Sequence, residues 1–162
     1  MRFATTDTAY YALAPSGDPV LNAFIVYEDV RAAKHAKESC DRLAAELGGE
    51  WTVEIEMSSF DSLQVPHLQN IATGHLISAN IVIFACDGRY LPFEVWQWTE
   101  SLLRDRGQPA ALVAHLGAAR CQSRQPLEVE MYLAGLAQRR GMQFFTSRNR
   151  FNRHDSIREF AS

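Results

Sequence analysis

This sequence has no glycine-rich phosphate loop, no zinc-finger cysteine spacing, no long apolar run and no excess of one charge. Each absence removes a class of protein. Nine glycines are spread over 162 residues, and none falls in Glu28-Asp29-Val30-Arg31, just after the first apolar run. That excludes a dinucleotide fingerprint or a Walker loop there, because both need glycine to bring backbone amides close to a phosphate. The same lack counts against a flavin phosphate site. No Gly-x-Ser-x-Gly elbow occurs, so serine-hydrolase chemistry has no support. The three cysteines, Cys40, Cys86 and Cys121, are odd in number and share no repeated spacing. They are expected as reduced thiols of a cytoplasmic protein. Residues 1–20 lack a basic flank before an apolar stretch, so no signal peptide is expected. No segment approaches the about 20 apolar residues of a spanning helix, so no membrane association is expected. A net charge of −3 gives no general pull toward nucleic acid, which is not expected as a partner.

What is present is ordinary for a folded chain, with 47% apolar and 22% charged residues. The length suits one domain with short appendages. Residues 80–86 (Asn-Ile-Val-Ile-Phe-Ala-Cys), followed by Asp87-Gly88, read as a strand buried on both faces, at home in the middle of a parallel sheet. Residues 23–27 (Ala-Phe-Ile-Val-Tyr) make a second interior strand, followed by Glu28 and Asp29. Asp29 is placed to cap a helix running to about Leu47, with Ala33, Ala36, Cys40, Leu43, Ala44 and Leu47 as its buried stripe. Trp51, Val53, Ile55 and Met57 alternate with polar residues, which suits an edge strand.

A helix follows near Pro66, with Leu68, Ile71, Ala72, His75, Leu76 and Ala79 at helical spacing. His67 and His75 lie about two turns apart on it, where solvated or packed histidines are the commoner case. Residues 91–104 open another helix. Val95, Trp98 and Leu102 share one of its faces, and Trp96 and Leu103 share another, so burial against a second copy of the chain is one use of the latter pair. Residues 110–116 form a fourth strand carrying His115, residues 126–140 a helix, and residues 142–146 a fifth strand. An arm (1–22) and a basic, aromatic tail (148–162) flank the core domain (23–147), and the tail is expected to pack on it.

Strand and helix alternating five times imply an α/β/α sandwich around a five-stranded parallel sheet. With the amphipathic strand at an edge, the flavodoxin-like order 2-1-3-4-5 follows. Ligands of such folds sit beyond the carboxyl ends of the strands where the connections diverge. Glu28, Asp29, Ser59, Asp61, Cys86, Asp87 and His115 are expected around that crevice. Glu28, Asp29, Asp87 and His115 are its candidate ligand-binding residues. Asp29 and Asp87 are the pair on which a magnesium ion would rest, or whose mutual repulsion would tune a general acid or base. The structural alternative is that acids follow strands because they cap helices and turns.

Tyr27-Glu28-Asp29 after a buried strand, with residues 80–84 as strand three, resembles the receiver domains of bacterial response regulators. In that family an acidic pair follows strand one, a phosphorylated aspartate ends strand three, a Ser or Thr follows strand four and a lysine follows strand five. Glu28 and Asp29 match the acidic pair. Ala85 falls near the phospho-acceptor position, with Asp87 close by; His115 or Leu116 stands at the hydroxyl position, and Thr146 or Ser147 at the lysine position. The resemblance therefore implies a pseudo-receiver that binds partners without running phosphotransfer. Separately, residues 23–27 are similar to the first box of Toll/interleukin-receptor (TIR) domains, residues 75–90 to their helix and strand three, and residues 96–100 (Trp-Gln-Trp-Thr-Glu) match their Trp-x-x-x-Glu spacing. Val26 replaces the box serine, and the Arg-Asp and Pro-Gly pairs of the loop after strand two are missing. That resemblance implies NAD cleavage with Glu100 as the catalytic glutamate. The Tyr-Glu-Asp start also resembles uncharacterised bacterial proteins, which implies a fold and no activity. The expectation is a cytoplasmic signalling or protein-interaction module, with a homodimer through the Trp96/Leu103 helix as one form of partner.

Overall fold

The computed structural model describes residues 19–48, 51–87, 91–105, 111–117 and 128–147. The arm of residues 1–18, the tail of 148–162 and Cys121 lie outside the described residues. Five strands, β1 (Val20–Tyr27), β2 (Thr52–Ser59), β3 (Ile81–Cys86), β4 (Ala111–Leu116) and β5 (Gln143–Ser147), alternate with four helices, α1 (Val30–Glu46), α2 (Pro66–Ser78), α3 (Phe93–Asp105) and α4 (Glu128–Arg140). All strands are parallel and the sheet order is β2-β1-β3-β4-β5, the flavodoxin-like order expected.

The strand period of two divides the sheet's side chains between two cores. Leu21, Ala23, Ile25, Ile81, Ile83, Ala85, Ala111 and Val113 face α1, which contributes Ala36, Cys40 and Leu43. Phe24, Val26, Val82, Phe84, Leu112 and Ala114 face α2, α3 and α4. β3 and β4 are buried at every position, as continuous apolar runs should be. β2 sits at an edge, with Glu54 and Glu56 exposed between half-buried neighbours.

β1 starts at Val20, three residues before the start expected at Ala23. Asn22 is what interrupts the apolar pattern there. Its backbone N–H donates to the Asn80 side-chain oxygen (2.8 Å), and its amide reaches the Ser78 carbonyl (3.4 Å). A polar residue inside a strand is tolerated when its bonds are made, and the partners lie 56 and 58 positions away. Asp29 caps α1 as expected, its Oδ1 accepting from the Ala32 N–H at 2.8 Å. α1 ends as Gly48 takes a positive φ of 64°. β2 is followed by a short 3-10 helix, Asp61–Gln64, that carries buried Leu63 into the core.

Of the two tryptophans on α3, Trp98 is buried and its indole N–H donates to the Thr73 hydroxyl (3.0 Å). Trp96 keeps 41% of its surface exposed and stacks at a tilt on Phe93, itself 64% exposed, with ring centroids 5.8 Å apart. The Leu103 side chain lies outside the described residues. His75 packs on Phe24 and faces Glu56 at 3.7 Å, and His67 is exposed. Neither belongs to a metal-ligand group among the described residues.

Candidate functional site

The site is built by the register of the three central strands. Tyr27 pairs with Ala85, Ala85 with His115 and His115 with Ser147, so one transverse row crosses the sheet at its carboxyl edge. The ladder continues one bond past the strands: the Glu28 N–H donates to the Ala85 carbonyl and the Gly117 N–H to the Cys86 carbonyl, both at 2.9 Å. These bonds hold the first residues of three departing loops beside one another. The result is a crevice of about 460 Å³ lined by Glu28, Asp29, Arg31, Ala32, His35, Cys86, Asp87, His115, Leu116 and Gly117.

Sequence positions 28–29, 86–87 and 115 therefore meet on one rim, as the topology required. Ser59 and Asp61 do not line it. The Ser59 hydroxyl accepts from the Ser62 N–H (3.1 Å) and its carbonyl accepts from the Ser62 hydroxyl (2.8 Å), so that segment stabilises its own turn. Arg31, His35 and Gly117 join the crevice without having been singled out. Arg31 and His35 sit four apart on the first turns of α1, immediately after the strand whose end forms the rim, and that spacing puts them on one helix face.

The acids are tied into the loops. One Glu28 carboxylate oxygen accepts from the Asp87 backbone N–H at 3.1 Å across 59 residues of chain, and Asp29 is the helix cap. Among the described residues no three His, Cys, Asp or Glu side chains converge as metal ligands, so the Asp29–Asp87 magnesium reading gains no third protein donor.

His115, unlike the acids, Arg31 and His35 around the crevice, is buried. It is only 5% exposed, and its Nε2 is fully buried with no hydrogen-bond partner among the described residues. Burial lowers its pKa to about 4, and the positive charges of His35 and Arg42 add to the effect, so the ring is neutral at pH 7. Its ring also lines a small apolar cavity of about 20 Å³ beneath α1 with Ser39 and Cys40. The Cys40 thiol there is pushed up to about 12 by burial, with Asp41 adding and Lys37 opposing, which makes it an inert core thiol. Cys86 lies on the other face of the sheet, among the residues packed under α2, α3 and α4, so it does not pair with His115.

Glu100 lies apart from the crevice, between α3 and α4. Its Oε1 accepts from Arg139 (2.9 Å) and from the Tyr132 hydroxyl (3.1 Å). Burial and the neighbouring Glu100 carboxylate raise the Tyr132 pKa, so that hydroxyl stays protonated and donates. Tyr132 in turn lines a recess with Leu91, Trp96, Glu128 and Val129 near the starts of α3 and α4.

No protein-family model matches the chain, and no curated protein matches it. Among solved structures the chain is similar to the metal-soaked Flv1 flavodiiron core from Synechocystis sp. PCC6803, at 14% identity and a TM-score of 0.45, over 86% of this chain and 33% of that one. The chain thus spans about a third of that structure's length, and the likeness carries nothing to the site. Among the described residues no helix is long and apolar enough to cross a membrane.

Proposed function

We propose that this chain is a signalling or protein-interaction module of pseudo-receiver type, with the receiver layout and without its phosphotransfer chemistry. The observation that carries the reading is the state of the acids on the rim: the Glu28 carboxylate holds the Asp87 amide and Asp29 caps α1. Phosphotransfer in a receiver needs the acidic pair turned toward a metal and an acceptor aspartate in the row at the end of strand three. Here that row reads Tyr27, Ala85, His115 and Ser147. Ala85 has no carboxylate to phosphorylate, and Asp87 stands beyond the last strand residue, Cys86. Incubation with acetyl phosphate and magnesium followed by intact-mass measurement is expected to leave the mass unchanged. A stable 80 Da adduct mapping to Asp87 would overturn the reading.

The partner surface in this reading includes the exposed Phe93–Trp96 pair at the start of α3, which a second copy or another protein would cover. Light scattering across a dilution series, on wild type and Trp96→Ala, tests the homodimer; a monomer at all concentrations in both removes it.

A TIR-like, NAD-cleaving enzyme is the rival reading. What favours it is the link from Glu100 through Tyr132 to the recess beside Trp96. Nicotinamide release from NAD at high protein concentration, abolished by Glu100→Ala, is the result it requires. No release, or release that survives the substitution, ends it.

A further inference from the structure

We propose that the outer face of α2, together with the acidic groove between α2 and the edge strand β2, docks a basic amphipathic helix of a partner protein. The inference deepens the protein-interaction reading, on which it rests, by naming a class of partner. It uses a surface separate from the Phe93–Trp96 pair and no group of the rim.

α2 differs from the other three helices in its charge. Its 13 residues, Pro66–Ser78, include no Asp, Glu, Lys or Arg, whereas α1, α3 and α4 each carry both signs. A surface helix usually turns a charged side to water, and one that is apolar on its outer side as well asks for a cover there. Leu68, Ile71 and His75 follow one another at three- and four-residue spacing and so form one stripe. Leu68 and Ile71 keep 40% and 47% of their surface exposed, and exposed Val65 extends the stripe at the helix start.

The stripe runs into negative charge. His75 faces Glu56 at 3.7 Å, at a groove of about 190 Å³ lined by Asn22, Phe24, Glu54, Glu56, His75 and Ser78. Among the described residues no ion pair or hydrogen bond engages the Glu54 carboxylate, and His75 is the one partner of the Glu56 carboxylate. The chain brings no strong cation near in sequence: residues 43–88 hold six acids and neither lysine nor arginine. An apolar stripe thus lies beside unmatched carboxylates. Charge complementarity calls for a partner with an apolar side and a basic flank.

Other occupants meet an obstacle. Nucleic acid and anionic membrane are repelled by the acids. A strand added to the outer edge of β2 would crowd Glu54 and Glu56, and charged side chains are how edge strands keep others off. A second copy set α2 against α2 brings no lysine or arginine from this region to meet the carboxylates. A basic amphipathic helix answers both parts. Its apolar side rests on Leu68 and Ile71, and its Lys or Arg side chains reach Glu54 and Glu56. From Leu68 to Ser78, α2 rises about 15 Å, which seats roughly three turns of such a helix.

The test is fluorescence anisotropy of labelled Leu/Lys amphipathic peptides of about 18 residues, long enough to form a helix, titrated with the full chain. A Leu/Glu peptide of the same pattern and a scrambled Leu/Lys peptide are the comparisons. The basic amphipathic peptide is expected to bind with a Kd below about 100 μM, and the other two at least about ten-fold more weakly. Added salt should weaken the binding, since the charges meet at the surface. Ile71→Ser changes a side chain that is already half exposed, so the thermal midpoint should hold while affinity falls about five-fold. Glu54→Lys with Glu56→Lys reverses the groove and should lower affinity at least about ten-fold. Trp96→Ala, on the α3 surface, should leave it unchanged. The proposal is overturned if the basic peptide binds no better than the scrambled one, or if both α2–β2 variants bind it as wild type does. It is overturned in favour of the chain's own tail if a peptide of residues 148–162 binds more tightly at the same surface. Failure of all peptides would sink this partner class and leave the acetyl phosphate result, which reads the rim, as it stands.

Discussion

Glu28 and Glu100 are the two glutamates to which the family resemblances point, and the fold gives them different kinds of partner. Glu28 stands where three strand-to-helix loops leave the sheet, and its carboxylate holds a backbone N–H, that of Asp87. Glu100 stands between two helices, and its carboxylate holds a guanidinium and a phenol. In the first region the acid helps fix the shape of a crevice at the carboxyl edge of the sheet. In the second it joins α3 to α4, and the carboxylate is engaged by its neighbours on the next helix. An acid at a motif position can thus shape a ligand site or brace a helix pair, and its partners distinguish the two.

The largest effect expected belongs to the crevice. His115 has a folded-state pKa of about 4, below the ordinary 6.5, so the folded state takes up its proton later than the unfolded state as pH falls. Its contribution to stability is complete above pH 6.5 and is lost between pH 6.5 and 4, by about 3 kcal/mol. Urea unfolding of wild type and His115→Phe at several pH values isolates this from the carboxylates. The stability difference between the two should change by that amount across the window, and a constant difference would show that His115 is not buried neutral.

Next in size is the brace. Glu100→Ala leaves the part-buried Tyr132 hydroxyl and the half-exposed Arg139 without their acceptor and should cost about 1.5 kcal/mol. A double-mutant cycle with Tyr132→Phe should show coupling; strict additivity would dissolve the contrast between the two glutamates. Asp29→Ala removes the α1 cap at a cost of about 1 kcal/mol, and Asp29→Asn should recover most of it, since an amide oxygen also caps. If Asn does not recover it, the charge of Asp29 matters beyond the cap and the acids of the crevice are not mainly structural. The smallest change is expected at Lys37→Ala. It breaks an exposed i,i+4 pair with Asp41 at 3.4 Å and should move stability by less than about 0.5 kcal/mol in thermal melts.

Much of the crevice could be read before any coordinates. Glu28, Asp29, Cys86, Asp87 and His115 all sit at the ends of apolar runs, and a parallel sheet collects such ends on one edge. Arg31 and His35 were harder to see, because a charged residue on the first turn of an amphipathic helix looks like solvent-facing surface until the rim beside it is known. Ser59 and Asp61 carried the same end-of-strand signal and went elsewhere: Ser59 bonds to Ser62 in a local turn, and Asp61 opens the 3-10 helix that follows β2. Val20 and Leu21 do not read as part of β1 from sequence because Asn22 breaks the apolar run, and its remedy, Asn80, lies far along the chain.

The order of residues alone settled five parallel strands alternating with helices and the sheet order, since burial imposes periods of two and 3.6 on short stretches and right-handed crossovers restrict the rest. Only the packed molecule decided which polar groups would be satisfied. Glu28 found an amide 59 residues away, Glu100 found Arg139 on the next helix, and the His115 Nε2 found no partner among the described residues. Hydrogen bonds and desolvation act over a few ångströms of space, whatever the distance along the chain.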